Sequence, residues 1–405
     1  MAIAVLGGGL QGCCTALALA EQGANVVLFE QANSLLSRTA VANEGKIHLG
    51  YMYAADPTLQ TARTMIEGAL AFAPFFERHL GIPIGEIKTS APTNYVVHRD
   101  SQRDPDTVGA YLKDVHRLVS EAANGRERAY FGLDLTASLR CWSSDDRGAA
   151  FDPEVALEVF ETPEVAINPE DLARELQNCV ANHPRIELRL GHRVLRTDRQ
   201  KAMLRVSAET RDGRVGDDFQ HVVNALWDGR LVVDETMGLK PHRPWLHRLK
   251  YGVSLTLPPS VDLPPSVTVV SGPFGEVVTF PDRQLYLTWY PECLQGISAE
   301  LNPPDWPTYP PEPKRSTILT RTIAAISVFV PSLRSLNDVA PNDVRVKGGV
   351  IVAWGDTDIY DPKSELHRRC DIGITSDRGY HSIDPGKLTM VPLFAEQCAR
   401  RILQS

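Results

Sequence analysis

The first thirty residues carry a pattern of apolar and polar positions that predicts a strand, a helix and a second strand. Residues 2–6 are an apolar run, residues 10–22 show helical spacing that ends at Gly23, and residues 26–30 are another apolar run. Short apolar runs on either side of a helical repeat are typical of a βαβ unit.

The rest of the chain divides into helical and extended patterns. Two helices are expected where Asp or Asn precedes a proline, from Asp56-Pro57 to about residue 79 and from Asn168-Pro169 to about residue 182, because proline suits the first turn of a helix. Two more helical patterns cover residues 316–330 and 389–403. The extended patterns cover residues 186–190, the region from 203 with a hairpin turn at 211–213, and residues 222–226, 251–257, 267–270, 276–280, 285–289 and 349–354. The strands between 251 and 289 predict an antiparallel sheet and therefore a second domain.

Composition and charge narrow the class of protein. A chain of 405 residues is longer than a domain with one hydrophobic core usually is, and its 43% hydrophobic residues are enough to form two cores. The net charge is −8 and Lys and Arg are scattered, which argues against a nucleic-acid partner and favours a small-molecule substrate. No stretch approaches 18 apolar residues and no signal-peptide pattern follows Met1, so we predict a cytoplasmic protein without a membrane span. The seven cysteines lack CxxC spacing, so neither a disulfide framework nor a metal site is predicted.

A GxGxxG motif, Gly7 to Gly12, lies between the first strand and the first helix. In this context Gly7 permits a tight turn, Gly9 lets the backbone approach a pyrophosphate, and Gly12 allows close packing of helix on strand. The amides of Leu10 and Gln11 open the helix and suit an anion. Glu30 ends the second strand 18 residues after Gly12, with Gln31 beside it, where a carboxylate binds a ribose diol. The motif predicts a dinucleotide, FAD or NAD.

Two later stretches resemble one family of flavoproteins. Residues 37–53, SRTAVANEGKIHLGYMY, resemble the segment after the second strand in the D-amino-acid oxidase superfamily, and within it the L-2-hydroxyglutarate oxidases and glycerol-3-phosphate dehydrogenases. The matching residues are Asn43, Gly45, Ile47, His48, Gly50 and Tyr53. Residues 379–389 are similar to the G-K-L-T flavin-binding segment of the same enzymes. A glycine turn that leads into a helix presents amides to the electron-rich edge of a flavin.

A third stretch, residues 222–229, resembles the "VVNAAGxW" segment of the superfamily, but Leu226-Trp227 stand where Ala-Gly is usual. The resemblance implies FAD as the cofactor. The residues that it and the glycine motif assign to cofactor binding are Gly7, Gly9, Leu10, Gln11, Gly12, Glu30, Gln31, Arg38, Asn43, Gly45, Lys46, His48, Asn224, Trp227, Gly386, Lys387, Leu388 and Thr389.

The implied fold is α/β, or α+β overall: a Rossmann-like FAD-binding domain of the glutathione-reductase type with an interleaved antiparallel-sheet substrate domain. We expect residues 1–80, 140–240 and 345–405 to form the discontinuous FAD domain. Residues 81–139 and 241–344 are expected to form the substrate domain.

Candidate chemistry follows from the same segments. His48 is the leading base, because imidazole titrates near neutrality and the resemblance places it beside the flavin. His381 precedes the G-K-L-T segment and is a second candidate for catalysis. Arginines suit an anionic substrate, and Arg321, Arg368 and Arg369 lie near predicted site segments. Tyr53 and Trp289 are further candidates for the substrate pocket.

The resemblance implies an FAD-dependent oxidase or dehydrogenase that oxidises a CH–OH centre by hydride transfer to flavin, with O2 or another electron acceptor. An amine or amino-acid oxidase is the nearest alternative. A flavin monooxygenase, a non-catalytic flavin-binding protein and an NAD-only dehydrogenase stay open. For the monooxygenase, Gly355-Asp356 is followed by Pro362, which only approximates the segment that class carries.

Overall fold

The computed structural model describes residues 2–337 and 340–404. Residues 1, 338–339 and 405, which fall within the predicted domain ranges, lie outside this part. In chain order the strands are β1 (Ala2–Leu6), β2 (Asn25–Phe29), β3 (Asn94–His98), β4 (Arg140–Cys141), β5 (Ala156–Glu161), β6 (Ile186–Arg189), β7 (Arg193–Gln200), β8 (Met203–Thr210), β9 (Gly213–Phe219), β10 (His221–Asn224), β11 (Trp245–Thr256), β12 (Val267–Val270), β13 (Gly275–Thr279), β14 (Gln284–Trp289), β15 (Leu294–Ser298), β16 (Asn342–Trp354), β17 (Gly373–Asp377) and β18 (Tyr380–Asp384). The helices are α1 (Leu10–Glu21), α2 (Gln60–Leu80), α3 (Pro105–Ala123), α4 (Ser144–Ala150), α5 (Pro169–Ala181), α6 (Arg230–Thr236), α7 (Tyr290–Cys293), α8 (Lys314–Ser327) and α9 (Val391–Leu403).

The smaller main sheet has the order β17-β18-β10-β1-β2-β6, parallel except where β17 meets β18. Its strands β1 and β2 are buried at four of five positions, as expected of a parallel sheet covered on both faces. Helices α1 and α9 pack together on one face, while the β7-β8-β9 meander contributes Leu204 and Phe219 to the core on the other. This three-layer arrangement confirms the predicted α/β class.

The larger sheet has the order β15-β11-β14-β13-β12-β3-β5-β4, and β16 pairs with β11 along most of its length. Its core includes Leu249, Val253 and Leu287, and α8 packs against it through Ile318 and Ile326. Strands β4 and β5 and most of β16 belong to this sheet, although the predicted ranges place them in the FAD domain. No helix of the described residues is both long and apolar enough to cross a membrane.

Most predicted elements are confirmed, and the differences have local causes. Helix α2 begins at Gln60 rather than Asp56, because Leu59 adopts a left-handed conformation and the Asp56 carboxylate accepts bonds from Thr58 and Thr61. Helix α3 was missed although Asp104 caps it by accepting from the Thr107 amide at 2.8 Å. The sequence suggests a turn at residues 379–381, but Tyr380 and His381 open strand β18, because residues 380–382 pair in parallel with β10.

Candidate active site

A cavity of about 940 Å³ is lined by residues from both main sheets, a size within the usual range for ligand pockets. Fourteen of the residues predicted to bind the cofactor line it: Gly7, Gly9, Leu10, Gln11, Glu30, Gln31, Arg38, Asn43, Lys46, His48, Trp227, Gly386, Lys387 and Leu388. Three segments that are far apart in sequence therefore meet around one space.

The glycine motif forms one end of this cavity. Gly7 has φ +100, and a Cβ on Gly12 would lie 1.7 Å from the Gly7 carbonyl oxygen, so neither position accepts a side chain. A Cβ on Gly9 would meet no protein atom within 4 Å, so the backbone there is open to a ligand. Glu30 accepts hydrogen bonds from the Gly8 and Ala32 amides at 2.8 Å each, which fixes its carboxylate at the cavity.

Substitution at two of these glycines should separate binding from folding. Gly9→Val should raise the FAD dissociation constant at least about tenfold, or about 1.4 kcal/mol, because the new side chain points into the ligand space. The stability of the apoprotein should stay within about 0.5 kcal/mol of wild type. Gly12→Ala, in contrast, should destabilise the apoprotein by about 1–3 kcal/mol through overpacking. Flavin fluorescence titration and urea unfolding measure the two effects; equal loss of stability in both variants would contradict this assignment.

His48 lies at the centre of the cavity wall and is 1% exposed. Its Nδ1 is 3.3 Å from Glu164 Oε1, and Thr389 Oγ1 accepts a bond from its backbone amide at 2.9 Å. Within the described residues its Nε2 has no hydrogen-bond partner, although Glu44 Oε1 lies 3.9 Å away. Burial lowers the pKa of His48 although Glu164 opposes the shift. The ring is therefore neutral near pH 7, with Nδ1 placed to donate to Glu164 and the Nε2 lone pair free.

Glu164 is fully buried and supports His48. Its carboxylate accepts bonds from the Leu49 amide at 2.6 Å and from the Tyr95 hydroxyl, besides the contact with His48. Burial alone would raise its pKa, but the bonds and charges of His48, Lys46 and Tyr95 lower it. Glu164 is thus held ionised and orients the imidazole, an arrangement that no local sequence pattern indicated.

A buried cation, Arg369, and a half-buried one, Lys387, line the same cavity. Arg369 is 3% exposed and donates from Nη1 to the Val352 carbonyl at 2.8 Å, while its Nε has no partner in the described part of the chain. Burial lowers the pKa of Lys387 to about 8, although the negative charge of Glu44 opposes this shift. Within residues 2–337 and 340–404, neither side chain has a carboxylate within 4.0 Å. Unpaired buried cations are costly, so they mark a place for an anionic or electron-rich ligand.

Three further charged groups complete this wall: Lys46, Lys250 and Glu44. Lys46 Nζ donates to Glu276 Oε2 at 2.7 Å and also contacts Thr268, which ties the segment to β12 and β13 of the larger sheet. Burial would lower the pKa of Lys46, but Glu276 and Glu164 raise it. Glu44 has its pKa lowered to about 2 because the lysines and His48 outweigh its burial.

Four residues predicted to bind the cofactor do not line the cavity but support it. Gly12 and Gly45 lie against the Gly7 and Ile167 carbonyls, so both are needed for packing. Thr389 accepts from the His48 amide. Asn224 points away, because it donates to the Arg230 carbonyl, Asp234 and the Tyr380 hydroxyl behind the sheet.

His381 and most of the predicted substrate contacts lie elsewhere. His381, on β18, faces His221 at 3.4 Å and Ser376 at 2.9 Å, because the alternation of a strand turns it away from the cavity. Trp289 packs on Phe274 and Phe329 in the larger sheet's core. The side chains of Arg321 and Arg368 are 67% and 48% exposed and pair with surface glutamates.

Tyr53 is the predicted substrate contact that stays near His48. It is fully buried, its ring meets the His48 ring edge-on at 5.7 Å, and its hydroxyl has no partner among the described residues. Trp227, where the superfamily segment usually carries glycine, adopts φ +55 and donates from its indole to the Val350 carbonyl at 2.7 Å. The tryptophan therefore takes the backbone conformation that favours glycine and still lines the cavity.

These features fit FAD. Gly9 is open for a close approach of the pyrophosphate, the first amides of α1 have no partner within the helix, and Glu30 is fixed where a ribose is expected. At the other end, the Gly386–Leu388 turn and His48 line the same space.

The three-layer fold with its glycine-rich turn and long cavity defines a dinucleotide-binding enzyme. The family model "DAO: FAD dependent oxidoreductase" matches residues 2–356, so the chain belongs to the DAO family of FAD-dependent oxidoreductases. It is an enzyme and its cofactor is FAD, as the sequence predicted.

Individual relatives agree with this family. Over 87 residues the chain is 33% identical to glycerol 3-phosphate oxidase of Mycoplasma pneumoniae, a match that covers 22% of each protein. The L-alpha-glycerophosphate oxidase of that organism, solved with FAD bound, has a TM-score of 0.66 at 18% identity, covering 100% of this chain and 95% of that one. Glycine oxidase from Geobacillus kaustophilus has a TM-score of 0.67 at 14% identity, covering 100% and 94%. The two structures show the shared fold.

Proposed function

We propose that this enzyme dehydrogenates a CH–OH centre of a small anionic substrate, with His48 as the base that takes the hydroxyl proton. The observation that carries the proposal is the state of His48: it lines the cavity, is buried and neutral, is held through Nδ1 by Glu164, and has no partner on Nε2 among the described residues. A carboxylate behind an imidazole fixes its tautomer and leaves the other nitrogen as the acceptor.

The need for a base favours an alcohol over an amine. A hydroxyl keeps its proton at neutral pH, so that proton must leave as the C–H bond breaks, whereas an uncharged amine already has the lone pair that drives oxidation. FAD, when bound, supplies the redox step by accepting the hydride. His48 holds the proton that the substrate releases, and its burial keeps bulk water from competing for it.

Arg369 is the proposed anchor for the anionic group of the substrate. Its guanidinium is buried and has no carboxylate partner among the described residues, and a guanidinium binds a carboxylate or phosphate through two parallel hydrogen bonds. Tyr53 does not line the cavity itself, but its ring packs on His48 and its buried hydroxyl has no partner in the described part of the chain, so it is the proposed neutral contact. The partial match to a glycerol 3-phosphate oxidase supports a substrate with both a hydroxyl and an anionic group.

An amine substrate is the second candidate, because the Glu44 carboxylate lines the cavity 3.9 Å from His48 Nε2 and would attract an ammonium group. Lys250, Lys387 and Lys46 already compensate this charge, which weakens that attraction. Initial rates for matched pairs of 2-hydroxy and 2-amino acids, with oxygen and with a dye as acceptor, distinguish the candidates. We expect turnover of the hydroxy member; turnover of the amino member alone would overturn the proposal.

The pH dependence should report the same groups. His48 acts unprotonated, so kcat/KM should fall as pH drops through its pKa, which burial places below the ordinary value of about 6.5. Lys387 acts as a cation, so kcat/KM should also fall as pH rises through about 8. Lys387→Met should remove the alkaline limb and leave the acid limb in place. An acid limb centred above pH 7, or an alkaline limb unchanged by the substitution, would contradict the assignment.

A further inference from the structure

A buried polar network behind the cavity links two of its three segments. Arg230, the first residue of α6, does not line the cavity and is 8% exposed. Its Nη1 donates to Asp234 Oδ2 at 2.9 Å, and its Nη2 donates to Asp384 Oδ2 at 3.2 Å. One guanidinium therefore bridges a carboxylate of α6 and a carboxylate at the end of β18.

The Asp384 side of the bridge reaches the turn that lines the cavity. While Oδ2 accepts from Arg230, Oδ1 accepts from the Gly386 amide at 3.1 Å. Gly386 has φ +60 and is followed by Lys387, so this carboxylate holds the turn whose backbone and lysine face the ligand space. Among the described residues, the Asp384 carboxylate is the acceptor for that amide.

The Asp234 side reaches the second segment. Asp234 accepts from Asn224 Nδ2 and the Tyr380 hydroxyl, each at 2.9 Å, and the Asn224 Oδ1 in turn accepts from the Leu226 amide at 3.2 Å. Leu226 and the residues after it line the cavity. This explains why Asn224, predicted as a cofactor contact, points away: it shapes the segment from behind.

The charges make Arg230 the centre of the network. Two carboxylates lie against one guanidinium, and the guanidinium also lies 5.9 Å from the centre of the Trp354 ring. Removing it would leave the buried Asp234 and the half-buried Asp384 without a cation, and an unpaired carboxylate withdrawn from water moves toward water or a new partner. Either movement shifts the Gly386 turn.

We propose that Arg230 is a positioning residue for FAD: through Asp384 and Asp234 it sets the Gly386–Lys387 turn and the 225–229 segment in the geometry that binds the cofactor. The Gly386 turn places Lys387 at the cavity, where its positive charge favours the more negatively charged reduced flavin. The network therefore controls both the affinity for FAD and the potential at which the flavin is reduced, without touching it.

Arg230→Met tests the proposal, with Arg199→Met as the matched control. Arg199 pairs with Asp377 at 2.6 Å on the neighbouring β17, away from the cavity. Arg230→Met should raise the FAD dissociation constant roughly 10- to 100-fold and lower the flavin midpoint potential. The magnitude is taken from metal sites, where loss of a residue that orients a ligand weakens metal binding by a similar factor. Arg199→Met should leave both unchanged.

A second pair of variants, at Asp384, tests the proposal if Arg230→Met does not fold. Asp384→Asn retains an oxygen that accepts from the Gly386 amide, and Asp384→Ala does not. The alanine variant should therefore bind FAD more weakly and have a lower flavin midpoint potential than the asparagine variant. The melting temperature of each apoprotein reports folding separately. If FAD affinity and potential stay at wild-type values in the folded variants while only the melting temperature falls, the role is structural and the proposal is overturned.

Discussion

His48→Gln is expected to lower kcat/KM by about 10²- to 10⁴-fold, the usual contribution of a positioned general base. Glutamine keeps a polar side chain that Glu164 can bind, but it has no lone pair of comparable basicity at the position of Nε2. Rapid-reaction kinetics of flavin reduction with the substrate, at pH 7 and at pH 9, measure the loss. Measured against wild type at the same pH, the loss should be smaller at pH 9 than at pH 7, because more of the substrate hydroxyl ionises without a base.

The control for His48→Gln is the same substitution at a half-buried histidine that lies outside the cavity. His221→Gln removes an imidazole on β10 that lies outside the cavity, and we expect kcat/KM within about twofold of wild type, as for surface substitutions generally. His381→Gln should behave in the same way, since His381 contacts His221 rather than the cavity. A loss in His381→Gln equal to that in His48→Gln would contradict the placement of the base.

Arg369→Met is expected to lower kcat/KM by about 30- to 1,000-fold, because truncating one partner of a desolvated charge pair costs about 2–4 kcal/mol. The effect should fall on KM for the anionic substrate and on the affinity of a competitive carboxylate inhibitor. Arg369→Lys should recover part of the loss, since it keeps the charge but not the two parallel bonds.

Arg368→Met is the matched control for this prediction. Arg368 precedes Arg369 directly, but its side chain is 48% exposed and pairs with Glu365 on the surface. We expect no more than a twofold change in KM, because exposed ion pairs contribute about 0–1 kcal/mol. Equal losses in the Arg368 and Arg369 variants would show that the loop as a whole, rather than the buried guanidinium, determines binding.

Local features of the site were predictable from the sequence. The turn at Gly7, the close packing at Gly12 and the carboxylate of Glu30 each depend on a few neighbouring residues and on the strand-helix context. The resemblance to a flavoprotein family then added His48 and the Gly386 turn, which the structure brings to one cavity.

The partners of these residues were not predictable, because they come from distant parts of the chain. Glu164 is 116 residues from His48, in a connection without a helical or extended pattern. The sequence could not show which of Arg368 and Arg369 points inward for a similar reason. An irregular loop has no period from which the direction of a side chain can be inferred. The position of His381 away from the cavity was not predictable, because the pairing of residues 380–382 with β10 is a long-range contact.

The most direct test of the central proposal is anaerobic mixing of the FAD-loaded enzyme with matched hydroxy and amino acids, followed at the oxidised-flavin band near roughly 450 nm. We predict that a 2-hydroxy acid or another anionic alcohol bleaches the band in wild type, and that His48→Gln slows this single turnover by the factor given above. Bleaching by amines alone, or at an unchanged rate in His48→Gln, would contradict the assignment of His48 as the base for CH–OH oxidation.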